Sequence, residues 1–252
     1  MTRRWMARVA VVTMVTAAVF LGPVGPAVGA SDRLPDLGMG ALTNLSIDTT
    51  TISGHRLLRF RTLIDNVGSG PFETIGSRPD SSVTEMTVVQ RIYDDAGSYR
   101  DTGTSATMFY AGDGHNHWHV RDAEAYELRR LDNGVRVGTG AKHGFCYYDN
   151  ARYRLPLAGA PPDPVYVASG CGTQSSLTVT TGLSVGWGDI YAATLPFQWI
   201  DITGLKAGHY RLQATADPQN SFVESNDNNN MTWVDIQLKS NSVKIVATGP
   251  VI

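Results

Sequence analysis

Short stretches in which apolar and polar residues alternate run through most of the chain. Apolar side chains at every second position are typical of β-strands with one face against a core, and β-branched and aromatic residues favour the same conformation. No window keeps the period of an amphipathic helix for long. The stretches are LTNLSIDTT (42–50), HRLLRFRTLIDNVG (55–68), TVVQRIYDD (87–95), EAYELRRL (124–131), FQWIDIT (197–203), HYRLQATADP (209–218) and MTWVDIQL (231–238).

Turn-forming clusters separate these stretches at short intervals. DNVGSG, DDAG, LDNG and SNDNNN combine Gly, Asn, Asp and Ser, the residues that tight turns favour. Many short strands joined by such turns predict an all-β fold, here a single-domain antiparallel β-sandwich. Its longest irregular loop is expected over Asn150–Gly172.

The first thirty residues have the order of a secretory signal peptide. Arg3, Arg4 and Arg8 precede an apolar run over Val9–Gly22, and small residues follow up to Ala30. We therefore predict a signal peptide over residues 1–30, a catalytic domain over 31–252, and a secreted or otherwise extracytoplasmic protein. A membrane anchor is the alternative, but the run is short and ends in Gly and Pro. Sec and twin-arginine export both stay open.

The charge of the chain limits its partners. Removing residues 1–30 takes away three arginines and no acid, which changes the formal net charge from −2 to −5. A mildly acidic protein does not favour a nucleic-acid partner and is compatible with a cationic substrate. No later apolar run is long enough to span a bilayer, so we expect no stable membrane span after signal removal. The sequence indicates no particular oligomeric state.

Cys146 and Cys171 are the only cysteines. In an exported chain, two cysteines are most simply explained by one disulfide. Closing that loop would stabilise the fold by about 3 kcal/mol on the chain-entropy estimate. A thiolate metal site would need more cysteines or CxxC spacing, and neither is present.

Three of the six histidines lie within five residues of each other, in AGDGHNHWHVRDAE (111–124). On a straight strand, His115 and His119 would lie about 13 Å apart. Each imidazole nitrogen has to come within about 2 Å of a shared ion, so the segment must bend, which Gly112 and Gly114 permit. We predict a metal site formed by His115, His117 and His119. The alternative is a polar strand whose histidines bind nothing.

Ligand type alone leaves the metal and the fold family open. Among divalent metals, copper binds a given set of nitrogen ligands most tightly, but zinc and iron also bind imidazole. A zinc hydrolase would fit the same pattern of histidines. HWHVRDAE also has the HxH and Glu124 spacing of a cupin barrel. The second cupin segment is missing from the chain.

A longer set of motifs resembles the lysyl oxidase family. HNHWHV, AKHGFCYYD and GLSVGWGDIYAATLPFQWIDITGLKAGHYRLQATADPQNSFVESNDNNN match that family in order and spacing, and LPDLG and HRLLRFRTLIDNVGSGPF fit its opening strands. The resemblance implies a copper-dependent amine oxidase that uses a lysine tyrosylquinone. Such an enzyme converts primary amines, either peptidyl lysine or small amines, to aldehydes with O2, releasing hydrogen peroxide and ammonia.

The resemblance also assigns roles to single residues. It makes His115, His117 and His119 the copper ligands, and it makes Lys142 and Tyr191 the pair that joins to form the quinone. For the base that removes a substrate proton we favour Asp189, which lies two residues before Tyr191 and so on the same side of a strand. Taken singly, these residues could instead be a surface lysine, a strand tyrosine and a turn-capping carboxylate.

One further expectation follows from the resemblance, and one rival function stands beside it. LPDL and VESNDNNN match positions that hold calcium in some members of the family. The oxygen donors at these positions are Asp36, Glu224, Asn226 and Asn229. A polar turn rich in Asn and Asp is the alternative. The alternative function is a non-enzymatic copper-binding sandwich, either a metal carrier or an adhesion module. Such a protein has no use for Lys142 and Tyr191.

Overall fold

The alternating stretches form strands, as their pattern predicts. A computed structural model describes residues 29–112 and 114–252. Most of the predicted signal peptide lies outside the described residues. In chain order the elements are β1 (Asp32–Arg33), β2 (Leu37–Met39), β3 (Thr43–Asp48), β4 (Leu57–Asn66), β5 (Phe72–Ser77), β6 (Glu85–Asp94), β7 (Tyr99–Ala111), β8 (His117–Arg121), β9 (Glu124–Arg130), β10 (Arg136–Thr139), β11 (Gly144–Phe145), β12 (Ala151–Arg152), a 3-10 helix (Ala168–Cys171), β13 (Thr178–Leu183), β14 (Trp187–Tyr191), β15 (Trp199–Asp201), β16 (Gly208–Ala216), β17 (Met231–Leu238) and β18 (Val243–Thr248).

The strands form three antiparallel sheets. The first has the order β11-β8-β7-β6-β5-β13, with β1 paired to β6. The second has the order β10-β9-β16-β17-β18. The third has the order β12-β14-β4-β15, with β2 and β3 also paired to β4. The predicted all-β antiparallel fold is confirmed.

One hydrophobic core draws side chains from all three sheets. Phe60 of β4, Met108 of β7 and Leu128 of β9 are fully buried members of it. Burial alternates along β9 and β17, so each of these strands turns one face to the core and the other outward. Phe60 and Tyr126 make an edge-to-face contact between the third and second sheets, with ring centroids 5.0 Å apart. The core thereby holds together the sheets that carry the site.

The loop predicted over Asn150–Gly172 is largely irregular but contains β12 and the 3-10 helix. The buried Asp149 organises it, because its carboxylate accepts hydrogen bonds from the backbone N–H groups of Val165 and Ser184, both at 2.8 Å. In the part of the chain that the structure describes, no helix has both the length and the apolar character needed to cross a membrane.

Candidate active site

The predicted bend in the histidine segment is present between β7 and β8. His117 and His119 lie on β8, whereas His115 lies in the turn before it. Gly114 and Asn116 on either side of His115 have positive φ angles of 100° and 54°, a conformation that Gly and Asn adopt most readily. These two residues turn the chain back on itself, so all three rings face the same space.

The spacing of the three imidazole rings fits a shared metal ion. Ring centroids lie 4.7 Å apart for His117 and His119, 5.1 Å for His115 and His119, and 5.6 Å for His115 and His117. With nitrogens about 2 Å from an ion, tetrahedral ligation places ring centroids about 5 Å apart. The Nε2 atoms of His117 and His119 lie 2.9 Å from each other. Among residues 29–112 and 114–252, however, no group of three or more His, Cys, Asp or Glu side chains is placed so that it could hold a metal ion, and copper binding stays a proposal.

Trp118 fixes β8 from its other face. Its ring is buried, its indole N–H donates to the carbonyl of Thr173 at 2.8 Å, and the Arg78 guanidinium lies 4.6 Å from the ring centroid. Because successive side chains on a strand point to opposite faces, anchoring Trp118 directs His117 and His119 the other way. The HxH spacing therefore serves both the core and the site.

Lys142 lies on a short connection held at both ends. Before it, the Ala141 N–H donates to the carbonyl of Trp199 at 2.9 Å. After it, the His143 carbonyl accepts from the Asp122 N–H at 2.9 Å, and Gly144 pairs with β8. The lysine side chain is buried. Pairing of this connection to β8 places the lysine next to the histidines.

Tyr191 and Asp189 come from β14, which pairs with β4. They are two residues apart and share one face of the strand, as predicted. Asn150 holds this strand through its side chain, whose oxygen accepts from the Ile190 N–H at 2.8 Å and whose amide donates to the Asp189 carboxylate. The Tyr191 hydroxyl donates to the carbonyl of Cys146 at 3.2 Å. Sequence reasoning missed Asn150, which gave no signal beyond a turn-forming residue.

These three segments enclose one cavity of about 90 Å³, which brings all six predicted active-site residues together. The Lys142 Nζ atom lies 5.2 Å from the centroid of the Tyr191 ring and 5.1 Å from that of Phe145. The cavity is lined by His115, His117, His119, Lys142, Cys146, Tyr148, Asp189, Ile190, Tyr191 and Leu195.

Burial dominates the electrostatics of the site. It raises the pKa of Asp189 to about 8, against the lowering effects of its hydrogen bonds and of the Lys142 charge. It also raises the pKa of Tyr191, and the nearby Asp189 and Glu124 charges add to this rise. The pKa of His119 falls to about 2, first because of burial and then because of the Lys142 charge. His119 is therefore a neutral imidazole, the form that binds metals.

Glu124 is a second buried carboxylate at the site, which the sequence suggested only as part of a cupin-like spacing. It begins β9 and is 2% exposed. The Tyr126 hydroxyl donates to its Oε2 atom at 2.7 Å, while its Oε1 atom has no hydrogen-bond partner. Burial raises the pKa of Glu124 to about 8, the Asp189 charge adds to the rise, and the Lys142 charge opposes it. The structure thus couples Glu124 to both residues.

The predicted disulfide between Cys146 and Cys171 is confirmed, with a Cα–Cα distance of 5.9 Å. Cys146 directly follows β11, and Cys171 ends the 3-10 helix. The bond joins the segment after Lys142 to the loop that leads to Thr173, the partner of Trp118.

The residues expected to hold calcium come together only in part. Asn229 Nδ2 donates to Asp36 Oδ1 at 2.8 Å, and Glu224 accepts from the Leu37 N–H at 2.5 Å and from Asn230 Nδ2 at 2.9 Å. Asn226 instead accepts from the backbone N–H of Asn228 within its own loop. Burial raises the pKa of Glu224 to about 8, and the neighbouring charges of Asp217 and Asp227 add to the rise. We refer to Asp36, Glu224, Asn229 and Asn230 as the acidic loop cluster.

The site residues fall within a stretch that matches a known family. The family model described as lysyl oxidase covers residues 100–248, more than half of the chain. The chain belongs to the lysyl oxidase family. The stretch that matches the lysyl oxidase model contains the three histidines, Lys142 and both predicted residues of β14.

Curated proteins with lysyl oxidase names are similar to the same region. Lysyl oxidase homolog 2 of Gallus gallus is 29% identical over 192 residues, which cover 75% of this chain and 19% of that protein. Protein-lysine 6-oxidase of Homo sapiens is 32% identical over 127 residues, which cover 49% of this chain and 26% of that protein. The matches span only about a fifth to a quarter of the length of these relatives.

Proposed function

We propose that this chain is a copper-dependent primary-amine oxidase that works through a lysine tyrosylquinone made from Lys142 and Tyr191. Its substrates would be a primary amine, either a small amine or peptidyl lysine, and O2. The observation that carries the proposal is the single cavity that contains the three histidines, the buried lysine, the tyrosine and a buried carboxylate. A copper carrier needs the histidines, but it does not need a lysine buried beside a tyrosine ring.

The residues divide the work as follows. His115, His117 and His119 would hold copper through neutral imidazoles. Copper and the quinone, when present, supply the redox chemistry and a carbonyl electrophile for the amine. Lys142 has a flexible four-carbon stem and lies over the ring with which it has to react. The burial of Tyr191 keeps its phenol protonated and excludes bulk water from the ring.

Asp189 would accept the proton from the substrate carbon that bears the amine. Its Oδ2 atom has no hydrogen-bond partner, whereas Asn150 holds the carboxylate through Oδ1. A general base works best when its pKa is near the working pH, and burial raises the pKa of Asp189 to about 8. The carboxylate is thus held in place, with one oxygen available for the proton.

A carbonyl-reactive hydrazine tests the proposal directly. Protein matured with copper and then treated with phenylhydrazine should gain the mass and the visible absorbance of one quinone adduct, and it should release peroxide when an amine is added. Lys142→Arg and Tyr191→Phe should each bind copper and remain folded but form no adduct. A folded, copper-loaded Tyr191→Phe variant that oxidises amines at the wild-type rate would refute the proposal and would favour an oxidase chemistry that does not use the quinone.

We also propose that the acidic loop cluster binds calcium. The Oδ1 atoms of Asn229 and Asn230 have no hydrogen-bond partner. The Asn230 side chain contacts the Glu224 carboxylate and that of Asn229 contacts Asp36, and carboxylate and amide oxygens are the ligands that calcium prefers. Calcium should raise the melting temperature of the wild-type protein but not that of Glu224→Gln. An equal response of both proteins would refute this site.

Export remains a prediction as well. Cleavage after about residue 30 would release the domain that carries the site. Amino-terminal sequencing of protein collected outside the cytoplasm tests it, and an intact first residue would contradict the predicted cleavage.

A further inference from the structure

The Lys142 ammonium occupies a position built for a cation. Its Nζ atom lies 5.1 Å from the centroid of Phe145 and 5.2 Å from that of Tyr191. The two rings meet edge to face, with centroids 5.1 Å apart. Aromatic rings around an ammonium attract it through their negative faces, and this attraction grows when water is excluded. We refer to this place as the cation position.

Two buried carboxylates accompany this one ammonium. Glu124 and Asp189 both interact with the Lys142 charge and with each other. Each has one oxygen held by a donor, Tyr126 for Glu124 and Asn150 for Asp189. Each also has one buried oxygen, Oε1 and Oδ2 respectively, without a hydrogen-bond partner. A buried carboxylate oxygen without a donor is costly unless a cation or a donor joins it.

A second cavity has Lys142 in common with the active-site cavity. It has a volume of about 240 Å³, and both Glu124 and Lys142 line it. Pro218 and Gln219 also line it, and both are exposed, so the cavity opens to solvent. Lys142 lines the active-site cavity too. The second cavity therefore reaches both Glu124 and the residue that occupies the cation position.

Cross-linking changes the charge balance here, and this step of the argument rests on the proposed function. When the Lys142 nitrogen replaces a hydrogen on the Tyr191 ring, in an oxidation for which O2 is the electron acceptor, it moves toward the ring and loses its ammonium protons. The nitrogen is then an arylamine, which carries no positive charge at neutral pH. The cation position then keeps the Phe145 ring and the two carboxylates but loses its ammonium, and the Tyr191 ring, as an electron-poor quinone, no longer attracts a cation through its face.

We propose that the substrate amine enters as an ammonium ion through the second cavity, that it takes the cation position, and that Glu124 is the carboxylate that binds it. The substrate class is then a slender primary alkylammonium. A quaternary ammonium is too bulky to reach the buried oxygens, and an acid or alcohol of the same length lacks the charge. Asp189, which lines the active-site cavity, is left for the carbon-bound proton.

Metal-free Lys142→Ala protein tests the subsite without copper or quinone. This variant has the rings and carboxylates but lacks the ammonium, so n-butylammonium should bind in its place. The Lys142 charge lowers the pKa of both carboxylates, so in this variant their pKa values lie above about 8. Binding is therefore measured at about pH 9.5, where the amine is still mostly protonated. We expect a saturable rise in melting temperature of about 3 °C or more at tenfold the Kd. Butanol and tetraethylammonium should give no rise.

A matched pair of second substitutions identifies the carboxylate. Lys142→Ala/Glu124→Gln should lose the response to n-butylammonium. Lys142→Ala/Glu127→Gln should keep it, because Glu127 lines the same cavity but is already paired with Arg129 and Arg136. Equal responses of the two double variants, or no response of Lys142→Ala, would overturn the proposal.

Steady-state kinetics give a second reading if Lys142→Ala does not fold. In copper-matured protein, Glu124→Gln should raise KM for butylamine at least tenfold and change kcat much less, while Glu127→Gln changes neither. An unchanged KM in Glu124→Gln overturns the subsite even if the quinone forms. Absence of the quinone refutes the proposed function, whereas the response of metal-free Lys142→Ala still decides the subsite.

Discussion

The molecule contains two clusters of buried carboxylates that differ in what satisfies their oxygens. At the active site, Glu124 and Asp189 each leave one oxygen without a donor, and the Lys142 ammonium balances their charge. In the acidic loop cluster, both Glu224 oxygens accept N–H hydrogen bonds, from Leu37 and Asn230. Burial nevertheless raises the pKa of all three carboxylates to about 8.

A raised pKa therefore does not by itself identify a reactive group. The acidic loop cluster ties β2 to the segment before β17 through hydrogen bonds that the chain makes with itself, and its remaining lone pairs belong to neutral amides. In the active site, by contrast, the carboxyl groups with an oxygen that lacks a partner line cavities, Glu124 the second cavity and Asp189 the active-site cavity. The oxygen that lacks a donor therefore separates a carboxylate suited to chemistry from one that is held by donors of the chain itself.

The largest expected effect comes from removing a central histidine. His117→Ala leaves two imidazoles, so the affinity for copper should fall by more than about 100-fold and no quinone should form. Elemental analysis and hydrazine labelling measure both losses. The acidic loop cluster should be untouched, so thermal stabilisation by calcium should persist. Protein matured with all metals available that holds zinc and no copper would contradict the copper assignment.

The next largest effect is expected for Asp189→Asn, which changes acid to amide at the active site. The quinone should form, but kcat should fall by about 10²- to 10⁴-fold, because the base is lost. In the wild-type protein kcat should rise with pH through about 8 as Asp189 ionises. Stopped-flow and steady-state measurements at a series of pH values should show that kcat of the variant lacks this rise with pH. A wild-type pH profile in the variant would exclude Asp189 as the base.

Glu224→Gln makes the same chemical change in the other cluster and should have the opposite consequence. A carboxyl with a raised pKa holds its proton more tightly when folded, so its contribution to stability is full below about pH 4.5 and is lost as the pH rises to about 8. Without calcium, the variant should gain on the order of 1–3 kcal/mol of unfolding free energy at pH 8 and show a flatter pH dependence. Denaturant titrations at several pH values measure this. A variant less stable than wild type at pH 8 would contradict the assignment.

The smallest effect is expected for Asn229→Ala, which removes one donor to Asp36. Loss of a single hydrogen bond should cost about 1 kcal/mol of unfolding free energy. Neither kcat nor the yield of quinone should change. A fall in amine oxidation without a fall in stability would show that the two clusters are coupled in a way that the contacts do not explain.

The fold could be predicted wherever burial alternates along a strand. β9 and β17 bury every second residue, and both were predicted with nearly correct bounds. β7 was missed because the first half of YRDTGTSATMFYA is polar and mostly exposed. It is a strand because it returns against β6 after a predicted turn, where Tyr93 pairs with Tyr99. That partner supplies the backbone hydrogen bonds that the apolar pattern could not indicate.

Site residues that lie close together in the sequence could be predicted from the sequence alone, whereas those that only the fold brings together could not. Three alternating histidines beside two glycines indicate a bent metal-binding segment without further information. Lys142 and Tyr191 came from the family resemblance, because 49 positions separate them and only the fold brings them together. Glu124 could not be assigned, since its role depends on Tyr126 and on a cavity formed by distant segments.

The disulfide connects the segment after Lys142 to the loop that anchors the histidine strand. Cys146 follows the segment that carries Lys142, and its carbonyl accepts the hydrogen bond of the Tyr191 hydroxyl. Its disulfide partner Cys171 lies two residues before Thr173, whose carbonyl anchors Trp118 between His117 and His119. A chain whose thiols are still reduced lacks this tie between the strand of His117 and His119 and the segments of Lys142 and Tyr191. If the proposed quinone forms, we expect the thiols to be oxidised before the Tyr191 ring, and therefore the ring to be oxidised only outside a reducing compartment.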